Sequence, residues 1–254
     1  MNKVKPKKYL GQHFLNDENI AQSITDLLSV ETRKVVEIGP GMGVLTKYLL
    51  QKDIDLKLVE LDKDSIIYLI LHFPAIEKSI IEADFLQVDL QTTFDSPFSI
   101  IGNFPYNISS QILFTIFENK NQIPEVVGMF QKEVAERVVA KKGKKRGILS
   151  VFLQVYYDVE YCFTVDEHVF NPPPKVKSGV IKLNRNNVKE LPCEEQKFKQ
   201  IVKAGFNQRR KTLRNALKSF SLKDDLRIER LMQKRAEELS VEDWIAITLA
   251  CQKN

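Results

Sequence analysis

The sequence predicts an α/β protein: a mostly parallel sheet covered on both faces, followed by a small all-helical domain. Three observations predict it. Short β-branched runs alternate with segments of helical period from about residue 30 to residue 140. A cluster of glycines stands where the first of these strands turns into the next helix. The alternation stops after about Leu183, and the remainder of the chain carries helical spacing only. Alternating strand and helix gives βαβ units, which bury a parallel sheet between helices.

The elements come in order. "NDENIAQSITDLLSV" offers Asn16 or Asp17 as a helix cap and sets Ile20, Ile24, Leu27 and Leu28 on one face. "RKVVEIG" is a strand running into glycines, and "GVLTKYLLQK" after it has helical spacing. "DLKLVEL" and "DKDSIIYLILHF" repeat the pair, and "KSIIEADFL" is a third strand with its loop. "SPFSIIGN" and "ISSQILFTIFEN" are the fourth strand and its helix, "PEVVGMF" and "QKEVAERVVAKK" the fifth. "NRNNVKELPCEE" is polar and linker-like; "RLMQKRAEELS" and "VEDWIAITLACQ" are helices beyond it. The expected domains are 1–184, with a basic N-terminal segment over 1–15, and 185–254.

Of the 254 residues, 43% are hydrophobic and 28% charged, the balance of an ordinary globular chain. No apolar run approaches the ~20 residues of a membrane span, so no membrane partner is expected. "MNKVKPKKYLGQHF" lacks the apolar core of a signal peptide, and the protein reads as cytoplasmic. Cys162, Cys193 and Cys251 are scattered and odd in number, and only three histidines are present; neither a disulfide framework nor a protein-bound metal is expected.

The net charge of +5 is modest but unevenly spread. Lys3, Lys5, Lys7 and Lys8 crowd the N-terminus, and Lys141, Lys142, Lys144, Lys145 and Arg146 surround Gly143. From Gln196 to Lys223 there are nine Lys or Arg and no Asp or Glu, and the three basic segments together point to a polyanionic partner.

"VVEIGPGMGVLT" puts Gly39, Gly41 and Gly43 at the strand-to-helix turn, where glycine lets a ligand lie against the main chain. The spacing does not fit the dinucleotide G-x-G-x-x-G. Glu60 closes the next strand, where an acid takes ribose hydroxyls, and Asp84 closes the third. Acids at neighbouring strand ends repel a pyrophosphate and suit a cationic sulfonium nucleoside, so S-adenosylmethionine fits better than NAD.

The fourth strand ends in "NFPYNIS". Asn103 has a side-chain carbonyl acceptor. Pro105 biases Phe104 toward an extended backbone, which turns the Phe104 carbonyl outward as a second acceptor. Two adjacent acceptors suit an exocyclic amine: gripping both hydrogens favours a pyramidal nitrogen whose lone pair attacks a methyl group in line. Tyr106 offers a face on which a base stacks, worth about 1–3 kcal/mol.

"NFPYNIS" is similar to the N-L-P-Y motif of the ribosomal RNA adenine dimethylases, which make dimethyladenosine in small-subunit rRNA. The resemblance extends in order through "YLGQHFLND", "VVEIGPGMGVLT", "LVELD", "EADFL", "QKEVAERVVA", "FNPPPKVKSGV" and "FNQRRKTLRNAL". It implies a Rossmann-like S-adenosylmethionine-dependent methyltransferase sheet with a small C-terminal all-helical domain. It implies S-adenosyl-L-methionine as cofactor, contacted by His13, Leu15, Gly39, Glu60, Asp84 and Asn103. The target adenine is then expected to meet Asn103, the Phe104 carbonyl and Tyr106 beside Pro105, with Phe170 as a second stacking face. Pro172 to Pro174 and "FNQRRKTLRNAL" resemble the small-subunit branch more than the macrolide-resistance methylases of large-subunit rRNA. Departures from the family pattern are His13 for Asn, Phe104 for Leu, Arg146 for an aromatic and Lys177 for Asp.

"FNQRRKTLRNAL" reads as a helix carrying Arg209, Arg210, Lys211 and Arg214 toward RNA phosphates, with Leu213 and Leu217 buried. The expected partner is small-subunit ribosomal RNA in an immature 30S-type subunit, met by a monomer. The other readings are a large-subunit rRNA adenine methylase, a chiefly non-catalytic assembly factor, and a DNA adenine methylase, the last weakened by the lack of a DNA-reading module.

Overall fold

The computed structural model describes residues 4–223 and 225–251. Lys3 of the basic run and Lys253 at the end of the expected helical domain lie outside the described residues. The chain divides into two compact units, 1–135 with 158–185, and 136–157 with 186–254. The chain passes between the units three times, at 135/136, 157/158 and 185/186. The excursion 136–157, which a linear division cannot express, belongs with the C-terminal helices.

The first unit is built on a sheet of seven strands: β2 (Lys34–Ile38), β3 (Asp55–Glu60), β4 (Ile80–Glu82), β5 (Ser99–Asn103), β6 (Glu125–Gln131), β7 (Tyr157–Val165) and β9 (Ser178–Arg185). Their spatial order is β4-β3-β2-β5-β6-β9-β7. The pairs from β4 through β6 are parallel, whereas β9 runs antiparallel to β6, from Glu125 opposite Asn184 to Gln131 opposite Ser178. Thus the parallel expectation holds for the five strands read from sequence, and β7 and β9 extend the sheet. A separate two-stranded ribbon pairs β1 (Phe14–Leu15) with β8 (Phe170–Asn171).

Helix α1 (Glu18–Asp26) is capped by Asp17, whose carboxylate accepts the Ile20 N–H at 3.0 Å, and it buries Ala21 and Ile24. Helix α2 (Thr46–Leu49) is much shorter than its sequence pattern suggests. Helices α3 (Lys63–His72), α4 (Leu90–Thr93) and α5 (Ser109–Glu118) complete the crossovers, and α6 (Lys132–Val139) comes after β6. Val35, Leu58, Ile101 and Val127 of neighbouring strands are at most 1% exposed. Each such side chain contributes about 1.5–3 kcal/mol by leaving water, so the sheet rather than helix propensity carries this unit.

The second unit contains α7 (Ile148–Tyr156), α8 (Glu195–Asn207), α9 (Leu213–Ala216), α10 (Leu226–Met232) and α11 (Val241–Ala250). Ser240 and Asp243 cap α11 reciprocally, each side chain bonding the other's N–H at 3.2 Å. Trp244 is fully buried against Phe206, ring centroids 5.7 Å apart. Gly205 makes this possible, since a Cβ there would stand 2.4 Å from the indole. The single helix expected over "FNQRRKTLRNAL" is instead two: α8 ends at Asn207, residues 208–212 turn, and α9 begins at Leu213. Leu213 and Leu217 are buried as expected.

Candidate active site

A cavity of about 250 Å³ lies beyond the carboxyl ends of β2, β3 and β5, where the strand order reverses about β2. The glycine turn forms one wall. Gly39 and Gly41 have φ of +63° and +56°, backbone that L side chains resist. A Cβ on Gly41 would stand 2.8 Å from the Phe14 ring, so the turn is packed against β1.

Glu60, at the end of β3, is buried, and its carboxylate is held by three backbone N–H groups. Oε2 accepts from Gly41 at 3.0 Å, and Oε1 accepts from Leu61 and Asp62, both at 2.9 Å. Burial raises its proton affinity, against the pull of those N–H groups. Asp84 lies just past β4, its Oδ1 accepting the Leu86 N–H at 3.0 Å, and lines the same cavity. Among the described residues neither Glu60 nor Asp84 is in an ion pair, so the wall is anionic.

Asn103 closes β5. Its Nδ2 donates to the His13 carbonyl at 2.8 Å, which fixes the amide orientation and reserves Oδ1 as an acceptor at the cavity. The Phe104 N–H donates to the Met129 carbonyl at 3.1 Å, while among the described residues no group donates to the Phe104 carbonyl. The Phe104 ring points away from the site. It is 1% exposed and meets Phe130 edge-on at 4.9 Å, in a slot opened by Gly102 and Gly128. The Phe-for-Leu departure is therefore absorbed in packing.

Pro105 and Tyr106 both line the cavity. Tyr106 hydrogen-bonds Ser178 through its hydroxyl and stacks on the His13 ring, centroids 5.2 Å apart. Burial raises the Tyr106 phenol, against the Ser178 hydrogen bond. The His13 Nδ1 lies 2.7 Å from the Pro172 carbonyl, which can only accept. Nδ1 is therefore the donor in this hydrogen bond.

Two of the expected residues do not line this cavity, although the pocket that Leu15 lines shares Gly39, Gly41 and Asn103 with it. Leu15 is 3% exposed and lines a small neighbouring pocket with Glu37 and Asn103. Phe170, expected as a stacking face, is 3% exposed and packed in the core, because β8 pairs it with Leu15 and turns both side chains inward. It does not line the cavity.

Three residues have no clear signal in the sequence. Gln12 accepts the Lys7 N–H at 2.8 Å and donates to Asp62 at 2.9 Å. Asp62 also pairs with the Lys7 ammonium. Burial works to raise the Asp62 carboxyl, but the hydrogen bonds from Gln12 and Lys7 prevail and hold it below the usual range. Asn107 donates to the Tyr9 carbonyl at 3.3 Å and abuts Gly11, where a Cβ would stand 2.5 Å from its Oδ1. The local hints are an acid two places after Glu60 and a neutral amide inside a basic tail.

In the second unit, Arg210, Lys211 and Arg214 are exposed. Arg209 is not a free cation: its Nη2 donates to the carbonyls of Lys144 at 2.7 Å and Arg146 at 2.9 Å. Arg146 is buried and faces inward, its Nη1 donating to Ala140 and Gln154, both at 2.6 Å. Burial lowers its proton affinity to about 10, so it stays charged at neutral pH. Lys177 in the first unit adds no free charge, being paired with Asp166 at 2.5 Å.

Among the described residues no group suited to hold a metal ion occurs, and no helix is long and apolar enough to cross a membrane. A ribosomal RNA small subunit methyltransferase A from Cytophaga hutchinsonii is 57% identical over 252 residues, 98% of this chain and 98% of that protein. A dimethyladenosine transferase from Plasmodium falciparum is similar in structure, with a TM-score of 0.78 at 22% identity over 93% of this chain and 96% of that one. The 23S rRNA methyltransferase ErmE has a TM-score of 0.73 at 22% identity, over 94% and 100%. At such identity these two structures speak for the fold alone. The family model described as Ribosomal RNA adenine dimethylase matches residues 3–253, and with the full-length identity above it shows that the chain belongs to the ribosomal RNA adenine dimethylase family.

Proposed function

We propose that this chain transfers methyl groups from S-adenosylmethionine to N6 of adenines in small-subunit ribosomal RNA, giving dimethyladenosine. The observation that carries the reading is the Asn103 amide, locked by the His13 carbonyl so that Oδ1 faces the cavity beside an open Phe104 carbonyl. When bound, S-adenosylmethionine supplies a methyl group on a positively charged sulfur. The residues present fit it: a left-handed glycine turn, two carboxyl groups on the wall and, among the described residues, no Lys or Arg lining the cavity to hold a pyrophosphate.

Glu60 has one acceptor direction left on Oε2 after its backbone bonds, placed to take a ribose hydroxyl; Asp84 keeps Oδ2 for a second polar group. Asn103 Oδ1 and the Phe104 carbonyl accept the two N6 hydrogens and orient the nitrogen lone pair toward the methyl carbon. Tyr106 stacks on the adenine, with His13 supporting its ring. Extruding the base from its stack costs a few kcal/mol, least for a loop adenine. Arg210, Lys211 and Arg214 hold phosphates without reading sequence. The setting is an immature 30S-type subunit in the cytoplasm, and the protein acts as a monomer.

The test is incubation with labelled cofactor and, separately, unmethylated small subunits, large-subunit RNA and duplex DNA. Label is expected in the small subunit alone. Asn103→Ala should lower transfer by about 10²–10³, as for loss of one group that stabilises a transition state, while subunit binding persists. Transfer to large-subunit RNA, or full activity in Asn103→Ala, would sink the reading.

A further inference from the structure

The stretch from Lys7 to His13 borders the cavity of the first unit and is pinned along its length. Lys7 pairs with Asp62 and, at 2.7 Å, with Asp64, and Gln12 donates to Asp62. The Tyr9 carbonyl accepts the Asn107 Nδ2, and the His13 carbonyl accepts that of Asn103. Gly11, with φ of +64°, lets the chain pass close against Asn107. Between these ties lies a short 3₁₀ turn (Lys8–Leu10), in which side chains three places apart share a side. Lys7 and Leu10 share one and are half-buried: the first meets the acids, and the second lines the cavity. Tyr9 is left outside.

Tyr9 is 75% exposed, and of the large hydrophobic side chains exposed among the described residues it alone is aromatic. A ring left in water forgoes the gain of burial, and here the backbone that carries it is held in place. The tie at Tyr9 itself runs to Asn107, the residue after Tyr106, and so to the side of the cavity where the target adenine is proposed to stack. Lys5 and Lys8, its neighbours in the chain, are exposed, and among the described residues neither is in an ion pair.

We infer that Tyr9 is a stacking platform for the nucleobase adjoining the target adenine. Extruding a base strips its neighbour of one stacked face, and a pre-positioned aromatic ring at the mouth of the cavity replaces the lost contact. Lys5 and Lys8 stand ready for the phosphates of the same nucleotides. The inference rests on the reading that the cavity takes an adenine of RNA, and it adds to that reading a contact with a second base.

The test uses the full chain and three hairpin RNAs: one with an unpaired loop adenine, and two in which the nucleotide before or after that adenine is abasic. The wild type should bind the intact hairpin about 5- to 150-fold more tightly than one of the abasic pair, the worth of one base–aromatic stack. Tyr9→Ala should lose that preference and bind the intact hairpin as the wild type binds the abasic one. Tyr9→Trp should keep it, and Tyr9→Leu, which restores apolar bulk without a π face, should not. Melting temperature and cofactor affinity, the latter read by calorimetry, should be unchanged in Tyr9→Ala. A wild type indifferent to both abasic changes, a preference that survives Tyr9→Ala, or a Tyr9→Leu variant that matches the wild type overturns the platform. A fall in cofactor affinity overturns it too, by giving the ring to the cofactor. Methyl transfer to unmethylated small subunits is scored separately: none by the wild type would refute the proposed reaction, while a Tyr9-dependent preference for the neighbouring base would still stand.

Discussion

In the first unit, Gly39, Glu60, Asp84 and Asn103 each stand at or just past the carboxyl end of a parallel strand, and the register of β2, β3, β4 and β5 brings them together. In the second, the cations sit on loops whose arrangement depends on single hydrogen bonds between residues such as Arg209 and Lys144, sixty-five positions apart. A cavity placed by strand pairing is held by many bonds at once. A surface placed by a few carbonyl contacts is sensitive to each of them. On the proposed function, the difference separates what must be rigid, the grip on a reacting amine, from what need only present charge.

Three substitutions probe that contrast. The largest effect is expected from Arg146→Ala, which removes a buried side chain and leaves the Gln154 carbonyl oxygen without its donor. A loss of about 2–5 kcal/mol is expected, with faster hydrogen exchange over residues 140–147. Cofactor affinity should not change; if it fell in proportion, the two units would not be built independently.

Glu37 tests the first unit from below. It is 1% exposed and accepts the Thr46 hydroxyl at 2.7 Å. Burial pushes its carboxyl up to about 8, with the Thr46 hydroxyl opposing and Glu60 adding to the rise. The folded state therefore holds a proton that the unfolded chain releases at about 4.3, and stability from this group falls as pH rises from about 4 to about 8. Glu37→Gln should flatten that fall, worth on the order of a few kcal/mol at pH 8. Parallel melting curves for wild type and variant across this range would expose a wrong sign.

The smallest effect concerns the Phe104 slot. A Cβ on Gly128 would stand 2.4 Å from the Phe104 ring and 2.6 Å from that of Phe130. Gly128→Ala should cost about 1–3 kcal/mol by overpacking. Adding Phe104→Leu should restore part of it, so a double-mutant cycle with no coupling would contradict this fit of ring to slot.

The legible parts share a cause. Strands β2 to β6 can be read because each is a short run with its own pattern, and Gly39, Glu60, Asp84 and Asn103 because each stands at or just past a strand end. Helix α7 gives no such signal, because "ILSVFLQVY" is apolar on every face and shows no period, as suits an element buried all round. The direction of Phe170 is hidden because it depends on pairing with Leu15, a hundred and fifty-five residues earlier. The helix expected over 206–217 breaks at a turn where the Lys211 N–H closes on the Gln208 carbonyl at 2.8 Å. Arg209 then leaves the helix face and finds Lys144. In each of these places the deciding partner or burial lies outside the local stretch of chain.

One bond between distant residues has a practical reach. Because the amide at position 103 is steered by the backbone of His13, the proposed role of Asn103 makes the stretch around His13 a working part of the catalyst. A protease nick between Lys8 and His13, or a bulky tag fused close to it, would leave a protein that melts normally and yet turns over poorly. Assays on trimmed or tagged preparations would then report the handling of the terminus as though it were the chemistry of the enzyme.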